Sequence, residues 1–167
     1  MDNKIISAKL TLLSQLMELH GGNPFRTKTL NTAAYKIKKL PFRLAEKPVS
    51  GMEKIEGLGK STASKVGELL QSGRISELDQ LLEKTPAGIV EMLQVKGIGP
   101  RKVQIIWNDL RIENIGELYY ACNENRLIEA KGFGEKTQAE IRKLIEFRMG
   151  SSGSFLYASV GQLAKSL

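Results

Sequence analysis

Three short stretches of this 167-residue chain share one chemical layout, in which two glycines flank an apolar residue and cationic or hydroxyl side chains follow directly. They are Ile55-Glu56-Gly57-Leu58-Gly59 followed by Lys60 and Ser61, Val95-Lys96-Gly97-Ile98-Gly99 followed by Arg101 and Lys102, and Ala130-Lys131-Gly132-Phe133-Gly134 followed by Lys136 and Thr137. Glycine permits positive φ and close backbone approach, so both glycines of each copy are expected in a tight turn, with the apolar residue tucked inward. Such a turn presents backbone N–H groups at the start of a helix, where unpaired donors and the positive end of the dipole favour an anion. Lys, Arg, Ser and Thr are the side chains that hold phosphate oxygens. The pattern therefore points to phosphate capture. One Gly-x-Gly is an ordinary turn between helices, but three copies with matched flanks are specific.

The elements that must position these turns follow from the spacing. Gly57, Gly97 and Gly132 are separated by 40 and 35 residues, enough for two short helices and a connector in each unit. A short amphipathic segment precedes each turn (Met52 to Ile55, Ile89 to Val95, Arg126 to Ala130) and a longer one follows (Lys60 to Leu70, Pro100 to Leu110, Glu135 to Arg148), with Pro100 suited to a first helical position. Ahead of them, Ile5, Ile6, Leu10, Leu13, Leu16 and Met17 recur at helical spacing up to a stop at His20-Gly21-Gly22. A second helix is predicted from about Phe25 to Leu40, with Phe25, Leu30, Ala33, Ala34 and Ile37 facing inward. The predicted fold is all-α: an N-terminal helical domain with the first hairpin (1–84), a tandem of the second and third hairpins (85–149), and a Gly/Ser linker with a C-terminal helix (150–167).

Composition narrows the partner. Lys plus Arg number 25 against 18 acids, a formal charge of +7, which favours a polyanion. Arg26, Lys28, Lys36, Lys38 and Lys39, with Arg43 and Lys47, face the single acid Glu46 in the second helix and the loop after it, and extend the electrostatic footprint of the first hairpin. The acids Glu77, Asp79, Glu83, Asp109, Glu113, Glu117 and Glu124 fall in connectors, where they are expected to face away from the anion. No apolar run reaches a spanning length and no polybasic helix carries exposed Trp and Phe, so a membrane is not expected as the partner. A lone Cys122 and a lone His20 exclude a disulfide framework and a His/Cys zinc site within one chain. Cys122 reads as a buried filler, His20 as an exposed helix-end residue, and Trp107, Tyr119, Tyr120 and Phe147 as core.

Gly22-Asn23-Pro24-Phe25-Arg26, Ile55 to Leu70 with Gly73-Arg74, Val95 to Pro100, and Gly132-Phe133-Gly134-Glu135-Lys136-Thr137 together resemble the N-terminal region of family X, polymerase beta-like, DNA polymerases, most closely the bacterial members. The resemblance implies binding of duplex, gapped or nicked DNA through backbone contacts, and a role in base excision repair. It implies a palm domain beyond this region, with Phe155 to Leu167 leading towards it. It implies no required cofactor but a Na⁺ or K⁺ ion held by carbonyls of Glu53, Ile55 and Leu58 in the first hairpin and of Leu93, Val95 and Ile98 in the second. It places Lys65 where beta-like members carry a Schiff-base lysine that cleaves 5′-deoxyribose phosphate, although Leu30, Ser61 and Glu77 replace a tyrosine and two lysines of that site.

The leading expectation is a monomeric, sequence-independent DNA-binding module in the bacterial cytoplasm or nucleoid. The alternatives are a lyase acting through Lys65, separable by borohydride trapping on abasic DNA, and a helical protein-docking scaffold, separable by salt-independent partner binding without DNA affinity.

Overall fold

The computed structural model describes residues 1–95 and 97–152, and among these there is no strand. Contacts divide the chain between Thr85 and Pro86 into two compact units.

In the first unit, α1 (Asn3–Leu19) starts at Asp2, whose carboxylate accepts the Lys4 N–H, and ends where Gly21 takes φ 79° and the Gly22 N–H bonds the Met17 carbonyl at 2.7 Å. The helix α2 (Pro24–Lys38) begins at Asn23, which accepts the Phe25 N–H, with Pro24 in the first turn. The two helices pack together through Ile6, Leu10, Leu13 and Leu16 on one side and Leu30, Ala33, Ala34 and Ile37 on the other. Two hydroxyls fix their register: Ser7 donates to the Ala34 carbonyl at 2.8 Å, and Ser14 to Asn31 Oδ1 at 2.7 Å. Phe25, expected in this seam, is 76% exposed. It lies five residues before Leu30, about 140° around the helix, so Thr27 takes the inward place.

A 3₁₀ turn (Leu44–Glu46) leads to α3 (Val49–Met52), the first hairpin, α4 (Lys60–Ser72) and α5 (Ser76–Glu83), which packs on α1. Gly73, at φ 78°, closes α4. Glu68 caps α5 from the preceding helix by accepting the Ser76 N–H at 2.9 Å and the Ser76 hydroxyl. Those two bonds hold the Glu68 carboxyl below its ordinary pKa.

The second unit holds α6 (Ala87–Leu93), α7 (Pro100–Asn108), α8 (Ile115–Asn123), a 3₁₀ turn (Leu127–Glu129) and α9 (Glu135–Ser152) around Ile89, Met92, Val103, Ile106, Leu118, Leu127, Ile141 and Ile145. A Cβ on Gly88 would stand 2.0 Å from the Glu113 carbonyl oxygen, so only glycine lets α6 meet the α7–α8 connector. Asn114 caps α8 by accepting the Glu117 N–H at 2.8 Å, and Glu117 returns the bond to the Glu113 N–H at 3.1 Å. The helix α9 runs through Gly150, Ser151 and Ser152, residues expected to begin a linker: a helix already packed through Ile141 and Ile145 carries these residues along. The helix expected over Phe155 to Leu167 lies outside the described residues. Tyr120 and Phe147, expected as core, are 60% and 75% exposed, because each stands two residues past a buried position, Leu118 and Ile145.

Candidate nucleic-acid interface

Local chemistry makes the three turns alike. In each, the central apolar residue is buried, Leu58 at 3%, Ile98 at 2% and Phe133 at 7% exposure. Its N–H closes a turn onto the residue three before it, at 3.0 Å for Leu58 to Ile55, 3.1 Å for Ile98 to Val95 and 3.1 Å for Phe133 to Ala130. The second glycine then opens the following helix, its carbonyl taking the first bond: Gly59 from Ala63 at 2.9 Å, Gly99 from Val103 at 3.1 Å and Gly134 from Gln138 at 3.0 Å. No side chain caps α4 or α7. Their first-turn N–H groups are therefore left for an external acceptor.

The glycines divide the work differently from the expectation that both take positive φ. Only the first of each pair does, with Gly57 at 93°, Gly97 at 101° and Gly132 at 88°. The second is extended, Gly59 at φ −84° and Gly99 at −85°, a conformation open to any residue. Chain neighbours aside, a Cβ built on Gly59, Gly99 or Gly134 meets no described atom within 4 Å. Lys60, Ser61, Arg101 and Lys136 are exposed beside these glycines, and Lys102 and Thr137 are half-buried. The Lys96 of the second motif lies outside the described residues.

Residues 1–75 match the helix-hairpin-helix domain family, and residues 89–143 match the SAM-like helix-hairpin-helix tandem family. Over 141 residues, 84% of this chain, the sequence is 30% identical to DNA polymerase/3′-5′ exonuclease PolX of Bacillus subtilis (strain 168). The chain is a PolX-like helix-hairpin-helix region. It spans 24% of the length of that curated relative.

Around the first helix-hairpin-helix turn the structure gathers part of the basic segment. The stem of Lys36 lies over Gly57, with Cγ 2.8 Å from where a Cβ would stand, and its ammonium is 4.0 Å from Glu56. Lys28, Lys38 and Lys39 are exposed on α2, Lys39 over the Tyr35 ring at 5.5 Å. Arg26, Ser61 and Lys65 line one cleft of about 180 Å³ together with Phe25, Thr29, Leu30 and Thr62. Lys65 donates to Ser61 Oγ at 3.1 Å and pairs with Glu77 at 3.6 Å. Arg26 reaches both oxygens of the same carboxylate at 3.2 Å. Glu77 was expected to face away from this surface, but the first turn of α5 brings it against α2 and α4, where it neutralises two of the expected cations. Glu68 accepts its hydrogen bonds from Ser76 and meets Lys65 through charge alone.

The remaining sequence candidates have structural partners. Cys122 is buried, and burial pushes its thiol up to about 11. His20 Nε2 lies 2.8 Å from Thr85 Oγ1, tying the end of α1 to the end of the first unit; burial, then Lys84, lowers its pKa. Among the described residues no His, Cys, Asp and Glu cluster can hold a metal ion, and no helix is long and apolar enough to cross a membrane. Sequence reasoning missed Phe25 as a cleft-wall residue and Glu77 as the partner of Arg26 and Lys65; the helical period of α2 was the available signal for the first.

Proposed function

We propose that this chain binds duplex, gapped or nicked DNA through the sugar-phosphate backbone, without reading base sequence, as the DNA-binding part of a family X polymerase acting in repair. One observation carries the reading. Chain neighbours aside, no described atom lies within 4 Å of a Cβ position on Gly59, Gly99 or Gly134, and the backbone of the first two suits any residue, so no described neighbour requires glycine there. A ligand that presses against the hairpin backbone does require it; the uncapped N–H groups of α4 and α7, with Lys60 or Arg101 alongside, suit a phosphate, and Lys136 offers a matching cation after the third hairpin. The curated relative, a DNA polymerase and 3′-5′ exonuclease, supports DNA as the polyanion.

A monovalent cation fits the same reading: among the described residues no N–H outside a helix donates to the Glu53 or Leu58 carbonyl of the first hairpin, and these two, with the Ile55 carbonyl that already takes the Leu58 N–H at 3.0 Å, would hold Na⁺ or K⁺. The ion would add positive charge at the hairpin; Leu93, Val95 and Ile98 are the equivalents in the second. The test is the salt dependence of duplex binding. Neutralising about four to seven phosphates gives a log–log slope of roughly −4 to −6, alike for unrelated sequences. A slope near zero refutes the reading.

A lyase step at Lys65 is a second reading, favoured by one observation: the lysine side chain is 14% exposed in the wall of a cleft that also holds Arg26. Its pairing with Glu77 and Ser61 counts against it, because a nucleophilic amine must first leave both partners.

A further inference from the structure

Glu77 is out of place on a surface that binds a polyanion. Its carboxylate takes the Arg26 guanidinium with both oxygens at 3.2 Å and the Lys65 ammonium at 3.6 Å. One terminal nitrogen, Nη2, makes both contacts, a charge-assisted hydrogen bond of the kind arginine also offers to a phosphate oxygen. The cations lie in the wall of an open cleft of about 180 Å³ that Ser61, Thr29 and Thr62 also line, with Ser61 Oγ 3.1 Å from the Lys65 ammonium. Side-chain exposures of 49% for Arg26 and 34% for Glu77 make the pair a weak, solvent-screened one that a competing anion can displace.

We infer that Glu77 is an internal anion standing in for a nucleic-acid phosphate, so that the Arg26–Lys65 site is held closed until a DNA phosphate displaces it. The inference rests on the DNA-binding reading. Glu77 lowers affinity in proportion to the competition it offers, and it removes this pair from the cations that contribute to the salt dependence of the free protein.

The test is fluorescence anisotropy of Glu77→Gln on a one-nucleotide-gapped duplex carrying a terminal phosphate or a terminal hydroxyl at the gap, over a salt series. Glu83→Gln on the same helix, an exposed residue, controls for net charge. E77Q is expected to bind about three- to tenfold more tightly than E83Q, with a log–log slope steeper by about one. Adding Arg26→Gln should abolish that gain. A gain on both DNAs assigns a backbone phosphate, and a gain confined to the phosphorylated DNA assigns the terminal one; both support the site. Equal binding by E77Q and E83Q, or a gain that survives Arg26→Gln, overturns it. Glu77→Ala serves where E77Q loses its thermal transition. Failure of the parent to bind DNA at all would instead refute the underlying reading, which keeps the two failures distinct.

Discussion

The first and second hairpins have the same backbone and different roofs. Gly57 lies under the stem of Lys36 and Gly97 under Leu144, each with a side-chain carbon 2.8 Å from the Cβ position. Three cations near the first are paired with acids, Lys36 with Glu56 and Arg26 and Lys65 with Glu77, whereas Lys60 after the first hairpin and Arg101 and Lys102 after the second form no ion pair with any described residue. Hairpin geometry is thus set by a few local residues, while hairpin electrostatics is set by whichever helix packs alongside. Two copies of one motif can therefore carry different shares of binding.

The largest expected effect breaks the shared geometry. Gly97→Val must take φ 101° with a β-branched side chain and displace Leu144, and a loss of about 2–4 kcal/mol is expected in denaturant unfolding of the second unit. Gly57→Val carries the same φ strain but meets a stem that can swing into solvent, so its loss should be smaller. Equal losses would show that the roofs do not matter.

An intermediate effect sharpens the electrostatic contrast. Arg101→Ala with Lys102→Ala should weaken duplex binding about tenfold or more and flatten the salt slope by about two, leaving the unfolding midpoint nearly unchanged. Arg26→Ala, whose guanidinium is already engaged by Glu77, should change duplex affinity by less than about threefold. If Arg26→Ala costs as much as the double variant, the first unit's cations are not internally neutralised.

Much of this was legible in the sequence because it is local. The end of α1 follows from His20-Gly21-Gly22, the second helix was legible to within two residues at each end (α2, Pro24–Lys38), and the inward direction of Leu58, Ile98 and Phe133 follows from their place between glycines. What was not legible depends on neighbours remote in sequence. Glu77 reads as a connector acid until α5 folds back and sets it 51 residues away in sequence against Arg26. The second glycines read as positive-φ positions because composition alone cannot distinguish a glycine needed for its torsion from one needed for its bareness.

The smallest effect concerns Lys65. Borohydride trapping on 5′-incised abasic DNA is expected to be feeble and lost in Lys65→Ala, with duplex affinity lowered only slightly; strong Lys65-dependent trapping would promote the lyase reading over the binding module.

The central claim is that Gly59 and Gly99 are bare to admit a phosphate. Threonine suits their extended backbone and equals glycine as a helix cap, so Gly59→Thr with Gly99→Thr should unfold within a few degrees of the parent. The deciding measurement is the duplex affinity of that double variant over a salt series. The account predicts at least a tenfold loss and a slope flatter by about two. Parental affinity and slope in the folded variant would contradict it.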